Sequence, residues 1–510
     1  MKYKFSLDKG HFITGVSMFY FIPAWYTDHF MFEEKTWFRS PETMYDETIS
    51  QLHLFAKAKE PCTILSLAYQ PQLRSFLQRE GLTSIPVINI FDDLQSISST
   101  EIGLFSYRDL HWDDDLTWLS TPFVMCALKQ GEMYAQVYFN QEGRLLSVTF
   151  YHHQKPVKEL FFDDRGFLSS IREKQMQTFY NESGTSVFTY HRDDGHVTSS
   201  HLPKTYYDSL EELIIEALKK RIASLHADDP IVIAAHLLHK NLFAQLRKPF
   251  IITLFEKRYP LDNEETKAFA PASFVLSDHA YKANQLRQNP ALTYTPVYHL
   301  TPYDTRFTPG ISQRMKTLKI YYPMQTMEDF TGIEEILDYL VNHSLCELHL
   351  GLANGNQDFK APVKEALKPL CAAKGLPLEK ESVDEITEVS KPRIFIHQMM
   401  THSDLMQVLH ETRLIVDLRH HPDIISQIAA ISVGIPTIVK RPTEYIYHMR
   451  NGLILDQGYT LTQALDYYLT SLKHWNASLV YCFELISHHD RDRIIALWKE
   501  ILSSEGDRDE

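Results

Sequence analysis

Hydrophobic positions follow three successive rhythms along this chain. From Met18 to about residue 118, short apolar runs alternate with amphipathic stretches. MFYFI (18–22) reads as a buried strand ended by Pro23, and Glu42–Ala58 carries Met44, Ile49, Leu52 and Phe55 on one helical face. CTILSLAY (62–69) reads as a strand, Leu73–Arg79 as a helix and PVINIF (86–91) as a strand. Such alternation predicts a parallel, doubly wound sheet. Between about 119 and 200 the period shortens to two. VYFNQEGRLLSVTF, LFFDDRGFLSSIR and TFYNESGTSVFTY each set a polar turn, closing on Gly143, Gly166 or Gly184, between two aromatic-rich runs. That pattern predicts a meander of antiparallel hairpins inserted into the α/β domain. A sheet face bearing Tyr, Phe, His and Arg suits a protein partner or packing on its own chain about equally.

The helical rhythm returns at Leu210–Ala223, and PIVIAA (230–235), FIITLF (250–255) and SFVLSD (273–278) read as further buried strands. A second domain begins near 311. Its strands are LKIYYP (318–323), ELHLGL (347–352), RIFIHQ (393–398), RLIVDL (413–418) and PTIVK (436–440). Helices at 332–342, 360–373, 403–410, 422–433 and 461–473 separate them. A last amphipathic helix, roughly 484–503, carries Leu485, Ile494, Ile495, Leu497, Trp498 and Ile501. The predicted organisation is α/β, with two Rossmann-like domains and an inserted antiparallel sheet. The first domain takes 18–118 and 201–310, the insertion 119–200, and the second domain 311–483.

Composition narrows the function. A chain of 510 residues is too long for one core. At 44% hydrophobic and 23% charged it is an ordinary globular composition. The net charge of −14 argues against nucleic acid as a partner. Cys62, Cys126, Cys346, Cys371 and Cys482 are scattered and form no C-x-x-C, which fits buried free thiols in a reducing compartment. No stretch reaches the roughly 18 apolar residues of a spanning helix. Lys2, Lys4 and Lys9 before HFITGVSMFYFIPAW loosely mimic a signal peptide. However, no small-residue cleavage site follows, and Pro23, Trp25 and Tyr26 break the apolar run, so a first buried strand is the better reading. No G-x-S-x-G, Walker loop or Ser-His-Asp order is visible.

Residues 412–455 carry the most information. An apolar strand (414–418) meets a helix (422–433), then Gly434-x-Pro436, a second apolar strand and a turn at Asn451-Gly452. This resembles the donor-binding half of a GT-B glycosyltransferase. In retaining members a Glu-x7-Glu pair brackets the helix, its second Glu five residues before the Gly. Here those places hold His421 and Ala429. The same class opens its second domain with a strand ending in Gly-Arg and a nearby Lys. Tyr322 and Pro323 stand near the first pair and Glu328-Asp329 near the Lys, so the charge is reversed where a diphosphate would sit. One charge-assisted contact is worth about 1.5–3 kcal/mol. Losing two would weaken binding by several powers of ten. Lys440 and Arg441 compensate in part if they face the site, although solvated loop charges are the commoner case. The G-x-x-x-G run from Gly351 to Gly355, containing Asn354, lies where a phosphate-cradling loop would be; a helix-entry turn is its default.

Other constellations have bland explanations. Asp92-Asp93 close the strand VINIF and Asp113–Asp115 form a second acidic cluster, but Asp is a common strand-end and cap residue, and no metal is implied. Among 25 His, His236-x-x-His239 has zinc-like spacing but no third ligand. His236 instead becomes a candidate sugar contact, beside the structural alternative. The candidate cleft contacts are therefore His236, Asn354, His421, Lys440 and Arg441, with no catalytic residue, metal or cofactor.

A more specific resemblance lies in FYFIPAWY (19–26), WFRSPETMYDETISQLHLF (37–55) and NIFDDLQSI (89–97). WDDDLTWLSTPF (112–123), YFNQEGRL and PDIISQIAAISVGIP…TEY…NG fit the same pattern. These segments resemble the first accessory secretory protein of the accessory Sec system of Gram-positive bacteria, from Met18 onward. The resemblance implies a GT-B-like, non-catalytic export component with an inserted β domain, its C-terminal helix (484–505) crossing back to the first domain. Implied partners are the second and third accessory secretory proteins, the accessory SecA motor ATPase and a glycosylated serine-rich repeat adhesin preprotein. The implied place is the cytoplasm or the inner face of the membrane. An active transferase with atypical residues, or a chaperone-like partner of one, is the alternative.

Overall fold

The structure is a computed structural model. It describes residues 18–32, 46–101, 103–121, 124–255, 259–353, 357–379, 391–399, 402–420 and 422–506. These fall into two compact units divided at 299/300, with residues 46–54 grouping with the second.

The first unit holds a seven-stranded parallel sheet. Its order is Val297–His299, Phe274–Ser277, Phe250–Leu254, Ile231–Ala234, Phe19–Ile22, Cys62–Ser66, Val87–Asn89. Strands such as Ile231–Ala234 and Cys62–Ser66 are buried at every position, which explains their largely apolar spelling. The chain runs outward from Phe19–Ile22 in one direction, makes the insertion, and returns on the other side, so the strand order reverses between Phe19–Ile22 and Ile231–Ala234.

The insertion is a ten-stranded antiparallel meander in which every strand pairs with its neighbour in sequence, from Leu116–Ser120 to Tyr206–Tyr207. It therefore begins before residue 119 and ends after 200. Two of its three predicted turns share one chemistry. Asn140 Oδ1 accepts from the backbone N–H of Glu142 and Arg144, and Asn181 Oδ1 from Ser183 and Thr185. The closing glycines Gly143, Gly166 and Gly184 have φ of +77°, +88° and +81°, where a side chain would be strained.

Arg165, in the central turn, fastens the insertion to the α/β body. Its buried guanidinium meets Asp163 at 2.6 Å and 2.8 Å, and Asp92 at 2.7 Å and 3.0 Å. Neighbouring Asp164 accepts from the Ser75 N–H at 2.9 Å. This corrects the expectation for Asp92 and Asp93. They do not close a strand, because the strand stops at Asn89, whose side chain caps a helix Ile90–Gln95 that contains both. Asp93 pairs with Arg221, and Asp113 and Asp115 with Lys129.

The second unit holds six parallel strands in the order Ile394–Met399, Cys346–Ala353, Leu318–Met324, Thr412–Asp417, Thr437–Val439, Gly452–Ile454. The reversal lies between Leu318–Met324 and Thr412–Asp417. Two strands of the parallel sheets escape the sequence reading, Val297–His299 and Gly452–Ile454. Both are three residues long, too short to show a period. The turn at Asn451-Gly452 is thus the entrance to the sixth strand. The C-terminal helices also differ from expectation. Leu461–Leu469, Leu472–Ile486 and Arg491–Gly506 replace two predicted helices, so residue 484 lies inside a helix. Ser471 caps the middle one through the His474 N–H, a signal overlooked because the apolar pattern runs through it. All five cysteines are buried and free.

A polar cluster around His349 lies buried in the second unit. His349 Nδ1 and His397 Nε2 are 2.8 Å apart, and His349 Nε2 lies 3.4 Å from Glu347. Burial, with the charges of His397 and Lys319, pushes His349 down to about 3. Its folded value is below the unfolded one, so its contribution to stability is present above pH 6.5 and is lost as the pH falls toward 3. Urea unfolding of the wild-type chain should show stability falling with pH across this window, by at most about 1.4 kcal/mol per pH unit from this group. The His349→Gln variant should show a shallower slope; an unchanged slope contradicts the assignment.

Candidate functional site

In open α/β sheets, ligands bind outside the carboxyl ends of the strands, where the strand order reverses. Each parallel sheet has one such point. In the first, the loops after Phe19–Ile22 and Ile231–Ala234 bring Tyr26 to His239. Tyr26 Oη lies 2.8 Å from His239 Nε2, and His239 Nδ1 lies 2.7 Å from the Ala234 carbonyl oxygen. The carbonyl only accepts, so Nδ1 carries a proton and donates to it. His239 is fully buried, and its ring holds the Tyr26 hydroxyl. His236 accepts from the Leu238 N–H at 3.1 Å, with its ring centroid 5.2 Å from that of Tyr26.

At the second sheet the reversal point is occupied by the chain itself. Asp417 ends its strand and is buried. Arg419, also buried, reaches back to it with Nε–Oδ1 2.9 Å and Nη2–Oδ2 3.1 Å. Asp423 stands just before the helix Ile424–Val433. Its N–H donates to Asp417 Oδ2 at 2.6 Å, and its carboxylate accepts from Ser426 and lies 3.6 Å from Arg419. The buried cation beside the helix, and the backbone N–H of Asp423 at its N-cap, are thus both engaged by internal carboxylates. Burial alone would lower the Arg419 pKa. The charges of Asp417 and Asp423 outweigh it and raise the value, so the ion stays charged.

At the end of the strand Leu318–Met324 the polar groups pair within the chain. The Tyr322 hydroxyl donates to the Asp329 carbonyl oxygen, while the Asp329 carboxylate accepts from the N–H of Gln325 and Thr326. Gly351 lies in a strand, and a Cβ there would stand 2.1 Å from the Tyr321 hydroxyl oxygen, so this glycine makes room for a buried ring. All ten residues of the helix Ile424–Val433 are buried, Ala429 among them in an apolar core, so a carboxylate there would lack solvent and partner.

Of the five candidate contacts, His236 adjoins the first reversal point. Arg441 adjoins the second, with Nη1 3.3 Å from His420 Nε2 and Nε 4.0 Å from Asp456. Lys440 is exposed, and its carbonyl oxygen accepts from the Asp456 N–H. Asn354 and His421 lie outside the described residues. Sequence reasoning missed Tyr26, Asp417, Arg419 and Asp423. The last three stand in the line DLRHHPD, whose alternating acid and base around a strand end was the available signal.

Two doubly wound parallel sheets, one carrying a meander, define a GT-B-like scaffold of the glycosyltransferase type. The sequence profile of the accessory Sec system protein family, that of its first accessory secretory protein, matches residues 18–505, and the chain belongs to that family. A relative of the same name from Streptococcus gordonii is 30% identical over 95% of this chain and 99% of its own. The crystal structure of accessory secretory protein 1, 2 and 3 in Streptococcus pneumoniae contains a chain matched with TM-score 0.78 and 26% identity, over 96% of this chain and 99% of that one. The Glycosylation Associate Protein (Gap123) complex from Streptococcus agalactiae gives 0.76 and 26%, over 94% and 99%. The pneumococcal O-GlcNAc transferase GtfA, solved with UDP and GlcNAc, gives 0.65 at 12% identity over 96% and 99%, a likeness of fold alone.

Replacing Arg419 by Met leaves two carboxylates facing each other with no cation. Chemical denaturation of the second unit's transition should show a loss of about 3–5 kcal/mol. A loss below about 1 kcal/mol means the carboxylates were not held by Arg419.

Proposed function

We propose that this chain is a non-catalytic component of the accessory Sec export machinery, which scaffolds the second and third accessory secretory proteins. With the accessory SecA motor it would serve a glycosylated serine-rich repeat adhesin preprotein, in the cytoplasm or at the inner face of the membrane. The observation that carries this reading is the Asp417–Arg419–Asp423 cluster. A nucleotide diphosphate needs a helix N-terminus and free positive charge. Here two carboxylates occupy that ground, so a donor would meet repulsion and have to break a buried ion pair. The absence of carboxylates at Ala429 and His421 supports the same conclusion. Membership of the family, and relatives whose crystals hold proteins 1, 2 and 3 together, support the assembly role.

Two measurements test it. Titration calorimetry of the purified chain with UDP-sugars should show no saturable heat up to about 1 mM; a Kd near ~1 μM overturns the non-catalytic reading. Co-expression with the second and third accessory secretory proteins should give one species on size-exclusion chromatography. Elution of all three separately overturns the scaffold, and co-purification with an active glycosyltransferase instead makes the chain a chaperone-like subunit.

A further inference from the structure

Arg413 is the second residue of the strand Thr412–Asp417, at the amino end of the second sheet and so at the opposite end from Asp417 and Arg419. The strand pairs with Leu318–Met324 through Lys319 opposite Thr412 and Ile320 opposite Leu414. Arg413 is thus an extra residue in the ladder, a β-bulge. Bulges re-aim a side chain and are enriched beside binding sites. Here the guanidinium lies over the Trp475 ring, 4.0 Å from its centre, and Trp475 Nε1 donates to the Arg413 carbonyl oxygen at 2.8 Å. Arg413 is only 5% exposed.

Among the described residues this cation has no counter-ion, and its Nε, shut off from solvent, meets no acceptor. Burial therefore pushes it down to about 10, with no carboxylate to offset the cost. Arg165 and Arg419, just as buried, each meet two carboxylates. The acids nearest Arg413 in sequence are taken, Glu411 by Lys319 and Asp417 by Arg419. A second unsatisfied group stands on a neighbouring segment. The turn Ser312–Arg314 packs on the same strand, and Ser312 is buried with its Oγ unpartnered. Arg314 and Lys316 of that segment, and Lys473 two residues before Trp475, are exposed, so the surroundings are basic on a chain of net charge −14. A buried charge without a partner is costly, and stacking on an aromatic ring offsets only part of that cost. With one face against Trp475, the guanidinium offers its N–H groups at the edge, the geometry that meets two coplanar oxygens. A single negative charge balances it, whereas a phosphate dianion would leave an excess charge in a site so little open to water.

We propose that Arg413 is an anion-recognition site that takes one carboxylate. The carboxylate is either free or the acidic side chain of a protein docked at the amino end of the second sheet, and the test separates the two. The site goes beyond the export reading and stands without it.

The full chain, carrying isotope-labelled arginine, is titrated with sodium acetate while sodium chloride keeps the ionic strength constant. The Arg413 Nε–H signal is identified in the NMR spectrum by its loss in Arg413→Met. Acetate should move that signal to saturation with Kd of about 10 mM. It should also raise the melting temperature by about 3 °C at about 100 mM, and Arg413→Met should show no such rise. In chloride alone Arg413→Met should melt within about 3 °C of the wild type, because it removes a buried charge that had no partner. A larger fall makes the guanidinium a structural group and overturns the site; Arg413→Gln replaces the Met variant if that one fails to fold. The signal is then followed as the second and third accessory secretory proteins are added. A shift on assembly, after which acetate no longer acts, marks the carboxylate as a partner's. An acetate response that assembly leaves unchanged marks a free carboxylate. A signal unmoved by acetate and by assembly, or an equal acetate response in Arg413→Met, overturns the site.

Discussion

The buried ion cluster around Arg419 is the constraint on which the functional reading depends. A GT-B scaffold offers its donor a particular spot, the carboxyl end of the second sheet where the strand order reverses. At that spot Asp417, Arg419 and Asp423 satisfy one another. None of the three can be released cheaply, because each is at least partly removed from water and a lone buried charge is costly. The same interactions that hold the loop after Thr412–Asp417 therefore occupy the ground a diphosphate would need. On the function proposed above, stability and lack of donor chemistry have one physical cause.

The first unit is organised differently. Its insertion is not a separate appendage in energetic terms, since the central hairpin turn plants Arg165 between Asp163 and Asp92. Asp164 meanwhile holds the helix Leu73–Arg79 through Ser75. Around these charges the seam continues as hydrogen bonds rather than oil. Asn140 and Gln72 meet at 2.7 Å, and Gln95 reaches the Ser169 carbonyl oxygen at 3.0 Å. Polar seams of this kind fix register and orientation more sharply than apolar contact does. They also leave, beside Tyr69, a stretch of sheet face that remains polar and open.

Much of the architecture was legible in the sequence. Buried parallel strands such as PIVIAA and FIITLF announce themselves as almost wholly apolar runs. The hairpins at Gly143, Gly166 and Gly184 announce themselves by a polar residue three places before a glycine of positive φ. The missing carboxylates at His421 and Ala429 were also readable, because a fixed spacing on a helix is a one-dimensional fact.

What the line of residues could not decide was which distant groups meet. Asp92 reads as a strand end, and only folding brings Arg165, far along the chain, onto it. Tyr26 has no motif and acquires a role when the reversal of strand order sets its loop beside His239. Arg172 is one more polar residue in an alternating strand until register and the packed body bring it to a pocket wall. Local periodicity and turn chemistry act between near neighbours and are written in order. Charge pairing and pocket walls depend on three-dimensional proximity, which only the tertiary structure supplied.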